Sequence, residues 1–234
     1  TLALAGLDPA LPRPDPPQPL HPRIEVDHRG KGIAALITLL LATGEDVLVV
    51  AVDAAARHRH MSGRLGGFAL TSYDALERDA DLPVRFAHVV LLDPPTSEIA
   101  LICATTADPL APAQRLYLAW GPAELRFAAH THEQEYGLRD SLAACYRSLR
   151  DRGGAAGREL EAVLRGEARS PEHAGRLLRV LTEVGLVDLD RERAAVVVTE
   201  QRRVTLEHSS AYRDYQQTRE DGLKYLGQKT PQVA

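Results

Sequence analysis

The sequence predicts an α/β fold in its first half and helices in its second, and three observations carry that expectation. Two short apolar runs, at 47–52 and 89–92, lack any polar alternation, the pattern of strands covered on both faces of a parallel sheet. Helix-length segments lie between the strand-like runs, so they connect through crossovers rather than tight hairpins. Beyond Gly137 the strand pattern stops and leucines recur at helical spacing.

Taken in order, residues 1–22 read as a linker. Pro9, Pro12, Pro14, Pro16, Pro17, Pro19 and Pro22 remove backbone donors and fix φ, so neither helix nor sheet propagates there. A linker in that place reads as a join, and the chain as a piece of a longer protein. An α/β domain is expected over 23–136. Ile24 and Val26 begin it as a short strand, stopped by His28-Arg29-Gly30-Lys31-Gly32. A helix over 33–43 follows, with Gly44 placed as a C-terminal glycine. Strands are expected at 47–52, 68–71, 89–92 and 116–120, with helices at 54–61 and 97–106. Gly121-Pro122 reads as a turn, after which 125–129 is expected to pair back as an edge strand.

The second half is expected to hold a winged-helix-like module over 137–200. Leu138, Leu142, Cys145 and Leu149 mark one helix, and Leu160, Val163 and Leu164 a second. Ser170-Pro171 is a cap followed by proline at the first helical position. Behind it Ala174, Leu177, Leu178, Leu181 and Val184 mark a third helix, ended by Gly185. A hairpin of 186–189 with 195–199 completes the winged-helix order of three helices and two strands. A last helix over 210–226 belongs to a C-terminal segment, 201–234.

Composition narrows the function. Hydrophobic residues are 44% and charged residues 26%, with a net charge of −4, which excludes a wholly disordered chain and a strongly basic coat for nucleic acid. Cys103 and Cys145 are too few for a disulfide framework, so a cytoplasmic setting is expected. The apolar run 33–42 is too short to cross a bilayer, and no secretory leader is visible.

The turn 28–32 places Lys31 between two glycines at a helix start, where an anion is welcome. It lacks the longer phosphate-loop frame and its hydroxyl, and Asp93 is followed by prolines rather than a catalytic glutamate. The sheet therefore reads as Rossmann- or RecA-like without a working phosphate loop, with no catalytic, cofactor or metal residue of its own. His58/His60 and His130/His132 lack the companions of a zinc motif and read as surface or hydrogen-bonded histidines. For DNA, the third helix is expected to expose Arg176 and Arg179, but with Glu172 and Glu183 among them. Residues 138–234 carry 17 basic and 15 acidic groups, too even a balance for a strong nucleic-acid surface. The charge run Arg147, Arg150, Arg152 reads either as a solvated helix face or as one side of a groove for an acidic peptide.

A family resemblance rests on Val26-Asp27-His28-Arg29-Gly30, on Arg115-Leu116-Tyr117-Leu118-Ala119-Trp120, and on Leu138-Arg139-Asp140-Ser141 with Tyr146. It continues through Leu181-Thr182-Glu183-Val184-Gly185-Leu186-Val187 to Ser209-Ser210-Ala211-Tyr212. From about Arg23 onward this series resembles the C-terminal accessory domain of long bacterial RecJ exonucleases. The resemblance implies a parent that degrades single-stranded DNA from the 5′ end with Mn²⁺ or Mg²⁺ held upstream. No Asp-His-His core occurs in this chain, so no catalytic residue carries over. It also implies protein partners: the acidic, phenylalanine-ending tail of single-stranded DNA-binding protein, the parent's own catalytic domains, and a repair helicase. Arg147, Arg150, Arg176 and Arg179 are the expected peptide contacts, because each lies on a helix beside apolar positions. Direct contact with nucleic acid is expected to be weak or absent, and membrane contact absent. The other classes open to the sequence are a winged-helix DNA binder and a degenerate helicase-like ATPase.

Overall fold

The computed structural model describes residues 22–63, 66–111, 113–166, 169–199 and 203–229. The proline-rich stretch before Pro22 lies outside the described residues. Two compact units are present: described residues 22–132 with 221–229 form one, and 133–220 the other.

The first unit is built on a five-stranded parallel sheet in the order β1-β5-β4-β2-β3, an α/β architecture of Rossmann-like type. Its strands are β1 (Ile24–Asp27), β2 (Val47–Ala51), β3 (Ala69–Ser72), β4 (His88–Leu91) and β5 (Arg115–Leu118). Helices α1 (Ile33–Leu41), α2 (Ala54–Met61), α3 (Tyr73–Arg78) and α4 (Glu98–Thr105) make the crossovers. All five residues of β2 are buried, because Leu48 and Val50 enter one core and Val47, Val49 and Ala51 the other. That two-sided burial is why the run carries no polar alternation. At the sheet edge β1 is mostly exposed, and Val26 alone packs into the core beneath α1.

Arg23, just before β1, ties the sheet at one end. It is 5% exposed and donates to the carbonyls of Thr106 (3.0 Å), Phe86 (3.0 Å), Ala87 (3.4 Å), Arg115 (3.5 Å) and Pro83. Burial brings its pKa down to about 10, so it remains a cation held by backbone oxygens.

The segment 125–129 is not an edge strand. It lies in α5 (Pro122–Tyr136), which starts at the proline read as a turn. Pro122 is pre-set for a first helical position, and the Glu124 carboxylate accepts the Gly121 N–H at 2.8 Å. A short, mostly apolar stretch such as 125–129, broken only by Arg126, fits strand and helix equally, and here the helix start decides.

The second unit contains α6 (Leu138–Arg152), β6 (Gly154–Ala156), α7 (Gly157–Arg165), α8 (Pro171–Glu183), β7 (Val187–Asp190) and β8 (Ala195–Val198). The strands form an antiparallel sheet in the order β6-β8-β7. Strand β6 was not expected, since Gly154-Ala155-Ala156 has no strand propensity. Gly154 is required there: a Cβ would come within 2.3 Å of the Val196 carbonyl oxygen. Leu138, Leu142, Cys145 and Leu149 of α6 share one core with Leu160 and Leu164 of α7 and Leu177, Leu178 and Leu181 of α8. Ser170 caps α8 by accepting the His173 N–H at 2.9 Å. The last helix, α9 (Ser210–Gln228), supplies residues up to Glu220 to this unit and those from Asp221 to the first.

Candidate functional site

In open parallel sheets, ligands enter where successive crossovers leave in opposite directions, beyond the strand ends. Here that point lies between β2, which leads to β3, and β4, which leads to β5. It is occupied by side chains. Asp93, fully buried after β4, forms an ion pair with Arg57 of α2 and accepts the Val52 N–H at 3.2 Å. The Tyr73 hydroxyl donates to the Asp93 carbonyl at 2.6 Å, and Arg57 lies 4.1 Å over the Phe127 ring. Burial pushes the Asp93 carboxyl upward, against the pull of Arg57 and the Val52 amide. The turn 28–32 is likewise internally engaged. Arg29 forks onto Asp27 at 2.9 and 2.7 Å, and Lys31 Nζ donates to the Asp27 carbonyl at 3.3 Å. The Arg29 hydrogen bonds hold the Asp27 carboxyl well below the usual carboxylate range.

The paired histidines fall on helices, where residues two apart diverge. On α2, His58 and His60 are both exposed. On α5, His130 is exposed while His132 is buried against Gly222 of α9, where a Cβ would come within 2.2 Å of its ring. Both cysteines are buried, and burial raises the Cys145 thiol to about 11, which keeps it protonated.

The four arginines expected to hold a peptide have different surroundings. Arg147 and Arg150 are exposed on α6; Arg147 donates to the Ala143 carbonyl at 3.1 Å and Arg150 to Asp151 at 3.1 Å. Arg176 is not exposed as expected but 6% accessible. It pairs with Glu135 at 2.5 Å and lies 4.2 Å over the Tyr136 ring. The reason is the inward turn of α8, on which Ala174, Gly175, Leu177 and Leu178 are buried around it. Arg179 pairs with Glu183 at 3.0 Å, and Glu183 accepts the Ser209 hydroxyl (2.8 Å) and Ala211 N–H (3.1 Å) at the start of α9. Burial opposes the Glu183 charge, yet Ala211, Ser209 and Arg179 together hold its carboxyl below the ordinary value.

None of these four lines the groove of about 280 Å³ between α6 and α7. Ala144, Cys145, Ala162 and Val163 give it an apolar floor, and Ser148, Arg152, Glu159 and Arg169 lie along it. Arg152 reaches Glu159 at 3.3 Å and the Ser148 carbonyl at 2.9 Å. Arg169 donates to the Leu164 carbonyl at 3.0 Å, at the end of α7. Two guanidiniums beside an apolar floor can take a chain that offers carboxylates and an apolar side chain together. Arg152 ends the charge run visible in the sequence. Arg169 had no such signal, standing alone before the Ser170 cap. No family model, curated protein or solved structure matches the chain.

Proposed function

We propose that the chain is a non-catalytic protein-interaction module whose α6–α7 groove receives an acidic peptide. The apolar floor between Arg152 and Arg169 is the observation that carries this reading. The filled crevice at Asp93 and Arg57 supports it, because the place where such sheets hold a ligand is taken by the protein's own ion pair. Within the second unit, the order helix–strand–helix–helix–hairpin supports a winged-helix reading. The buried face of α8, from His173 to Leu178, favours protein contacts over insertion of that helix into a DNA groove.

In the setting implied by the resemblance, the module belongs to a RecJ-type exonuclease whose Mn²⁺ or Mg²⁺ sits in an upstream core. The peptide is then the tail of single-stranded DNA-binding protein, and its capture brings the nuclease to coated strands. Calorimetric titration of the chain with an acidic, phenylalanine-ending peptide tests the reading. Binding should weaken with salt and vanish when the phenylalanine is removed. Arg152→Ala/Arg169→Ala should lower affinity at least about a hundredfold, each charged contact being worth about 1.5–3 kcal/mol. Arg147→Ala/Arg150→Ala should lower it less. Equal binding by wild type and the Arg152/Arg169 variant rejects the groove, and no binding by wild type rejects the recruitment.

A further inference from the structure

We infer that the outer face of α1 is a self-association surface, on which a second copy of the chain packs its own α1 in antiparallel orientation. Helix α1 has no charged residue in its nine positions. Leu36, Ile37 and Leu40 face the sheet, while Ala34, Ala35, Thr38 and Leu39 are exposed, with Ala42 just beyond. These fall on the rows 34-38-42 and 35-39, so they form one continuous outer face. Leu39 is 67% exposed. The Thr38 hydroxyl is turned back onto the Ala34 carbonyl at 2.9 Å, so this position adds little polarity to the face. A helix that is apolar all round is ordinarily covered on all sides.

The charges at its two ends select the occupant. Lys31 is exposed before the helix, and Glu45 and Asp46 are exposed after it. An antiparallel two-fold packing brings the Lys31 end of one copy to the Glu45 and Asp46 end of the other, and opposes the helix dipoles favourably. A parallel packing sets like charges together. The alanines permit close approach of the two backbones. The free edge of β1 is a poorer surface, because two-fold pairing there sets Glu25 against Glu25 or Asp27 of the copy. One helix face is a small contact, so the association is weak and depends on concentration.

Sedimentation equilibrium of the full chain over a wide concentration range tests this. The mass should rise from 25.5 kDa toward twice that value. Leu39→Glu should stay monomeric, and Thr38→Arg reads the same face should that variant misfold. Lys31→Glu should weaken the dimer at least several-fold, and Lys31→Glu/Asp46→Lys should restore it. A wild type that stays monomeric throughout overturns the inference. So does a dimer insensitive to both face variants, a Lys31→Glu without effect, or a double variant that fails to restore association.

Discussion

Both units bury an arginine, but they neutralise it differently. Among the described residues, Arg23 in the α/β unit has only backbone carbonyls as side-chain hydrogen-bond partners, whereas Arg176 in the helical unit has the Glu135 carboxylate and an aromatic face. Carbonyl dipoles can stabilise a cation without a counter-charge, so Arg23 depends on the sheet end around it and on no single residue. Arg176 has a carboxylate counter-charge, Glu135, at 2.5 Å. A third arrangement, Arg57 with Asp93, puts the more deeply buried charge on the acid. The position of the unprotected charge decides what a substitution costs.

The largest effect should come from leaving a buried charge alone. Arg57→Ala strands Asp93, which is fully buried, and should cost about 3–5 kcal/mol at neutral pH by urea unfolding. Because the Asp93 carboxyl is pushed up in the folded state, stability should fall as pH rises through its folded pKa, more so once Arg57 is gone. Asp93→Asn/Arg57→Ala should recover most of the loss. A smaller effect is expected for Arg23→Ala, about 2–4 kcal/mol, since it leaves several carbonyls short of a donor but strands no charge. Arg23→Lys should recover part of this. If Arg23→Ala proves costlier than Arg57→Ala, the ranking by stranded charge is wrong.

The smallest effect is a pH dependence in the helical unit. Burial, then Arg176 and Arg169, depress His173 to about 4, well below the ordinary histidine value near 6.5. The folded state therefore binds fewer protons there than the unfolded one. The contribution of neutral His173 is complete above about 6.5 and fades as pH falls toward 4. Unfolding midpoints measured between pH 7 and 4.5 should fall for wild type and fall less for His173→Gln.

How much of this was legible in the sequence depended on whether a signal was local. The runs 47–52 and 89–92 announced a parallel sheet because burial on both faces leaves them without polar residues. Ser170-Pro171 announced α8 because a cap and its proline are neighbours in the chain. Strand β6 was invisible, since its residues pair by backbone with Val196 and Val197 and have no side-chain preference of their own. Arg23, Arg176 and Arg169 had the appearance of ordinary surface arginines, because their acceptors lie elsewhere in the chain or on the backbone. The groove combines a legible residue, Arg152, with an illegible one, Arg169. Only the packing of α6 beside α7 joins them.

The division of α9 has a consequence for synthesis. The described part of the α/β unit runs from 22 to 132, yet the end of α9 from Asp221, including Gly222 against His132, belongs to it as well. Its sheet can assemble while the ribosome is still making the helices that follow. Its last packed residues leave the exit tunnel only after the whole helical unit has been made. The helical unit is therefore an insertion within the α/β unit, and the nascent α/β unit waits with one place unfilled until the helical unit has been translated.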